Sequence, residues 1–177
     1  MYGDLLIFIY IGVVLCAAIG LTIWLFLKAK RIAHDRKISM KIPVLVSLVV
    51  ILVAAVSWIL NFGWFRVFLT IWMIPLIHAV IFFITNLFAV CYTDKSKTLK
   101  LLNRLFILTY ILAYVFFPDG GDIGEAYFFF GLIHNDKLSY IAYAVSHIIF
   151  LAHIVLLILQ IIQMVKIRKA DRKVPEK

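Results

Sequence analysis

His78, His147 and His153 are the residues of this chain best suited to chemistry, because each lies inside an apolar run long enough to cross a membrane. An ionisable side chain at membrane depth is costly unless it finds a partner, so it marks either a working site or a hydrogen bond between helices. Counting about 1.5 Å per residue from the run ends nearest the 118–137 loop puts His147 about 12 Å, His78 about 16 Å and His153 about 21 Å deep. His147 and His153 are six residues apart, about 120° around a helix, so both cannot point at His78. A three-histidine zinc site is therefore not expected, and no metal is. A pair, His78 with His153 or with His147, could ligate a haem iron axially, which makes haem b the cofactor of one reading. In the other reading there is no cofactor, and each imidazole hydrogen-bonds a neighbouring helix.

Catalytic signatures are missing. Ser146 and His147 are sequence neighbours and point about 100° apart on a helix, so they do not form a nucleophile–base pair. There is no HExxH, GxSxG or P-loop. The apolar runs carry no Asp or Glu in their interiors, which argues against a pump or exchanger built on a membrane carboxylate. Cys16 and Cys91 are not spaced like a metal knuckle or redox motif and read as packing residues.

The other chemically distinctive stretch is the 118–137 loop. Pro118, Gly120, Gly121 and Gly124 permit turns, and Asp119, Asp122 and Glu125 follow at three-residue spacing. The apolar run 127–133 is too short to span a bilayer. It is expected to form a short interfacial or re-entrant helix, with Tyr127 at headgroup level and Phe128, Phe129 and Phe130 dipping into lipid or capping the bundle. Together with Asp136 these residues would make a docking surface for a protein or peptide partner, carboxylates attracting positive charge and aromatics supplying apolar contact. A solvated acidic loop over a membrane-resting cap would look the same in sequence.

The elements that position these residues follow from hydropathy. With 65% hydrophobic and 15% charged residues and a mean hydropathy of +1.07, the 177-residue chain is an integral membrane protein. The length rule gives one all-α domain of five transmembrane helices, at about 5–27, 42–60, 67–92, 99–117 and 138–165. With five crossings, all of the 18 Lys and Arg except Arg66 and Lys137 fall on one side. The positive-inside rule then puts the N-terminus and the 118–137 loop outside and the C-terminus in the cytoplasm of a multi-pass cell-membrane protein. The net charge of +9 reports contact with anionic headgroups, not nucleic acid.

Small and polar residues show which faces pack. Gly12, Cys16 and Gly20 form a ridge that would allow close helix approach, and Pro75 is expected to kink the third helix. The third helix carries His78 and Thr85 on one stripe, and the fifth carries Ser139, Ser146, His153 and Gln160, flanked by Tyr143. Seven-residue spacing keeps each set on one face, so these helices are expected to meet across a polar seam. Two functions remain open. The leading expectation is a non-enzymatic interaction protein of a bacterial membrane, an accessory subunit or immunity-type protector using the outer loop. The alternative is a haem electron carrier or small-solute transport subunit using the histidine seam.

Overall fold

The computed structural model describes residues 2–61, 63–119 and 126–171, with side chains from residue 8 onward. Among these are six helices and one hairpin: α1 (Tyr2–Asp35), α2 (Lys41–Leu60), α3 (Trp64–Ile71), α4 (Ile74–Val90), a 3-10 turn (Thr93–Lys95), α5 (Lys97–Val115), β1 (Tyr127–Phe128), β2 (Ile133–His134) and α6 (Asp136–Asp171). The protein is an all-helical bundle in which α1, α2, α5 and α6 are each long and apolar enough to cross a membrane. The bent pair of α3 and α4 makes a fifth if it counts as one span. Asp122 and Glu125 lie outside the described residues.

The third helix, expected over 67–92 with a kink at Pro75, is broken into two in the structure. α3 and α4 meet at 68° across a two-residue turn, Trp72 and Met73. Pro75 has no N–H to give to the Ile71 carbonyl and its ring crowds that carbonyl, so the helix cannot run through. Met73 takes φ 57°, and its N–H closes the turn on Thr70 O at 2.9 Å. Pro75 thus sits in the first turn of a new helix rather than inside a kinked one.

The short helix expected over 127–133 is also corrected: the segment is an antiparallel hairpin with Tyr127 opposite His134 and Phe128 opposite Ile133. Phe129, Phe130 and Gly131 all have positive φ, a run that no right-handed helix can contain. The hairpin is tied down at three places. Asp119 and Tyr127 exchange backbone hydrogen bonds of 3.1 and 3.0 Å, Phe129 N donates to Val115 O at 3.0 Å, and Gly131 N donates to Asn61 Oδ1. Those partners stand at the ends of α2 and α5, so the hairpin closes one end of the bundle.

The opposite end is basic. Asp171 at the end of α6 pairs with Arg36, just past α1, and with Lys95 at 2.6 Å, while the Arg36 guanidinium lies 4.3 Å over the Tyr92 ring. Between the two ends α6 packs mainly on α5, and α2 packs on α4 and α5. Their core includes Val50, Ala54, Phe82, Phe106 and Tyr110. α1 leans mainly on α4, through buried Ala29 and a Phe26–Phe83 stack at 6.4 Å, and Ala33 joins a cluster with Leu99 of α5 and Ile167 of α6. The ridge expected to bring helices close is not used within this chain, since a Cβ at Gly12 or Gly20 would meet nothing within 4 Å.

Candidate functional site

Polar side chains inside the bundle gather in three layers, and α5 takes part in each. Nearest the basic end, four helices are joined in a chain. Asn86 Nδ2 donates to Ser47 Oγ at 2.6 Å, Asn103 Nδ2 to Asn86 Oδ1 at 2.7 Å, and Gln160 Nε2 to Asn103 Oδ1 at 3.1 Å. An amide carries both donors and an acceptor, so a row of amides can satisfy one another where water is excluded. Gln160 belongs to the expected seam. Asn86 does not, because it sits one residue off the His78–Thr85 stripe, and Asn103 stands in the first turns of α5, where it reads as a headgroup residue. Thr85 is buried beside this layer without joining its bonds.

At the hairpin end the central residue is Arg66, which the sequence places in an exposed turn and the structure buries completely. Its guanidinium donates to Ser57 O at 2.7 Å, to Tyr114 O at 3.4 Å and to Phe117 O, and lies 4.8 Å over the Trp58 ring. These carbonyls stand at the C-terminal ends of α2 and α5, where the negative end of each macrodipole lies; Ser57 O also accepts from Asn61 N at 3.1 Å and Tyr114 O from Ser57 Oγ at 3.1 Å. The Arg66 backbone N–H donates to Asp119 Oδ2 at 2.7 Å, so the first loop carboxylate turns inward onto the start of α3. Arg66 is the first cation after Leu60, and unsatisfied helix C-termini nearby are the signal that could have placed it.

Between these layers α4 and α6 part and leave a groove of about 610 Å³. Its floor is Ala113, Tyr114 and Phe117 of α5, one wall runs from Ile74 to Ile81 on α4, and the other from Ser146 to Leu157 on α6. Phe65 and Leu69 of α3 close it at the hairpin end together with Trp58 of α2. The structure brings His78 and His153 together here, ring centroids 5.0 Å apart and edge to face. His78 Nδ1 is 2.9 Å from Tyr114 Oη, and His153 Nδ1 is 3.0 Å from Thr109 Oγ1. His153 is 1% exposed, stacks on Phe106 with centroids 4.2 Å apart, and buries Nε2 with no hydrogen-bond partner.

The other expected seam residues divide. Ser146 and His147 line the groove, but both bond back to their own helix, Ser146 Oγ donating to Tyr143 O at 2.9 Å and His147 Nδ1 lying 2.7 Å from the same carbonyl. Tyr143 is 48% exposed and stacks on His147. Ser139 stands at the hairpin end and donates to Ala126 O at 3.1 Å. Among the described residues no three His, Cys, Asp or Glu side chains cluster as metal ligands.

Of the expected loop surface, Asp119 and Phe128 are buried, and Tyr127 pairs in β1 with its ring 5.5 Å from that of His134. Phe129 is partly exposed and leans on Phe116 and Phe130, while Asp136 Oδ1 accepts from Ala126 N at 3.4 Å. The chain matches no family model, no curated protein and no solved structure. The geometry of the groove and the layers on either side of it therefore carries the functional argument.

Proposed function

We propose that this chain is a non-enzymatic protein of the cell membrane that holds a lipophilic molecule in the groove between α4 and α6. It crosses the bilayer five times, with α3 and α4 as one broken span and the basic end in the cytoplasm. The orientation rests on the positive-inside rule, now joined by the convergence of Arg36, Lys95 and Asp171 at one end.

The observation that carries the reading is the groove itself. Its volume falls within the range of about 300–1,000 Å³ usual for small-molecule sites, and apolar walls with a few convergent polar groups are the common composition of such sites. Ile74, Ile77 and Phe150 at its rim are each more than two-fifths exposed, so in a bilayer the mouth faces acyl chains and a guest enters from lipid. The outer-loop reading draws less support, because Asp119 and Phe128 turn into the bundle. Haem draws less as well, because the two imidazoles touch edge to face where axial ligands would stand on opposite sides of a macrocycle.

Trp58 lines the groove and reports on it. In a variant with Trp24, Trp64 and Trp72 replaced by Phe, a brominated-chain lipid added to nanodiscs should quench Trp58 saturably. Ala113→Phe, which fills the floor, should remove the saturable part. Quenching that rises linearly with bromolipid in both proteins would sink the proposal.

A further inference from the structure

The groove has a built polar end, and the state of His153 fixes what that end can recognise. Thr109 has one hydroxyl proton and lies 2.9 Å from Leu105 O, 3.2 Å from Phe106 O and 3.0 Å from His153 Nδ1. The carbonyls can only accept. Two bonds form if the hydroxyl donates to a carbonyl and accepts from Nδ1–H, and one fewer forms if it donates to the ring. That assigns the proton of the neutral ring to Nδ1 and leaves Nε2 with a lone pair. Nε2 is buried and has no partner, an arrangement that is costly unless something donates to it.

His78 supplies the second half. Its Nδ1 is engaged by Tyr114, and among the described residues its Nε2 has no hydrogen-bond partner. The ring is only half-buried on the groove wall, 5.0 Å centroid to centroid from His153. A group that reaches His153 Nε2 must donate to it, and beside His78 Nε2 it can also accept or donate. An alcohol does both. A carboxylate, a ketone or an ether has no proton to give, and a quaternary ammonium has none and would bring a charge into an apolar groove.

We infer that the groove takes a long-chain or isoprenoid alcohol, with its neutral hydroxyl donating to His153 Nε2 beside His78 and its chain along Ile77, Ile81, Ile154 and Leu157. This rests on the proposed lipophile-binding function and adds the head group. Nε2 is covered in this conformation, with His78 edge to face on the ring, so the inference requires His78 to turn aside and give up its bond to Tyr114 when the alcohol enters.

The test uses Trp58 quenching in the single-tryptophan protein with three probes sharing one dibromo-octadecyl chain: the alcohol, its methyl ether and the plain alkane. The ether keeps the acceptor oxygen and loses the proton. The alcohol should bind about tenfold or more tighter than the ether and alkane, which should bind alike. His153→Phe keeps the stack on Phe106 and removes the lone pair, and should bring the alcohol, the ether and the alkane to one common affinity, whatever that affinity is. The probe series in the parent protein decides the matter even if that variant does not fold. Equal binding of all three probes, or an alcohol preference that survives His153→Phe, overturns the head-group assignment and leaves the groove reading standing. Absence of saturable quenching by every probe overturns both.

Discussion

Arg66 shows how much one side chain can decide. Its guanidinium is planar and five-donor, so it reaches carbonyls on two helices from one position on α3. Arg66→Met should cost about 1–3 kcal/mol, because Phe117 O loses its donor while Ser57 O keeps Asn61 N and Tyr114 O keeps Ser57 Oγ. Arg66→Lys should recover part of the loss, roughly 1–2 kcal/mol, since one ammonium cannot span Ser57 O and Phe117 O together. Denaturant titration in mixed micelles measures both, and equal stability of Arg66→Met and the parent would show that α3 docks without it. The sequence showed that Arg66 breaks the one-sided distribution of charge but not that it is buried. Hydropathy sees a cation beside a turn, whereas burial depends on helix ends brought to it from residues 57, 114 and 117. His78 and His153 were legible for the opposite reason, since a polar residue inside a long apolar run must find a partner in the bundle.

At the scale of elements, helices were legible wherever about 20 apolar residues run together, and the misreadings fall where two short signals compete. Seven apolar residues at 127–133 suit a turn of helix or a hairpin equally well, and Gly131 decides between them. It has φ +72°, and a Cβ there would stand 2.9 Å from Leu60 O. Gly131→Ala should therefore destabilise the protein by about 1–2 kcal/mol from the left-handed backbone alone, and by more if Leu60 cannot shift. Gly12→Ala is the matched control: its Cβ meets nothing within 4 Å, and Ala is the better helix former, so it should be neutral or slightly stabilising. Melting temperatures of the two variants in one detergent check the contrast, and equal shifts would mean that the hairpin tip is not held against α2. The polar stripes gave the inward face of each helix correctly for His153 and Gln160. The two helices expected to meet do so at His78 and His153, but the stripes could not name the hydrogen-bond partners, because periodicity is a property of one helix and here Tyr114 and Thr109 of α5 take those bonds.

On the scale of the whole molecule the question is what keeps α1 with the other helices, since it packs mainly on α4 and exposes Phe8, Ile9, Val13 and Ile19. The basic end supplies a second attachment, where Asp171 ties Arg36 to Lys95 and so joins the ends of α1 and α6 to the turn before α5. The hydrogen bond from Lys95, with that from Arg36 and the charges of both, holds the Asp171 carboxyl below its ordinary pKa. A group whose pKa is depressed on folding stabilises the folded state above its unfolded value, about 3.9 for Asp, and that contribution is lost as pH falls through the lower, folded value. The attachment should thus be intact from neutral pH down to about 4 and disappear below it. Asp171→Asn should cost about 0.2–1 kcal/mol at pH 7, the range for partly exposed ion pairs, and less in high salt. As pH falls below about 4 and through the lowered folded value, the variant and the parent should converge. Hydrogen exchange of the amides around Arg36 is the sensitive readout, because opening there detaches the end of α1 before the core melts. If exchange at that end is the same in both proteins at pH 7, the clasp contributes nothing, and the apolar packing of Ala29 and Ala33 retains the helix.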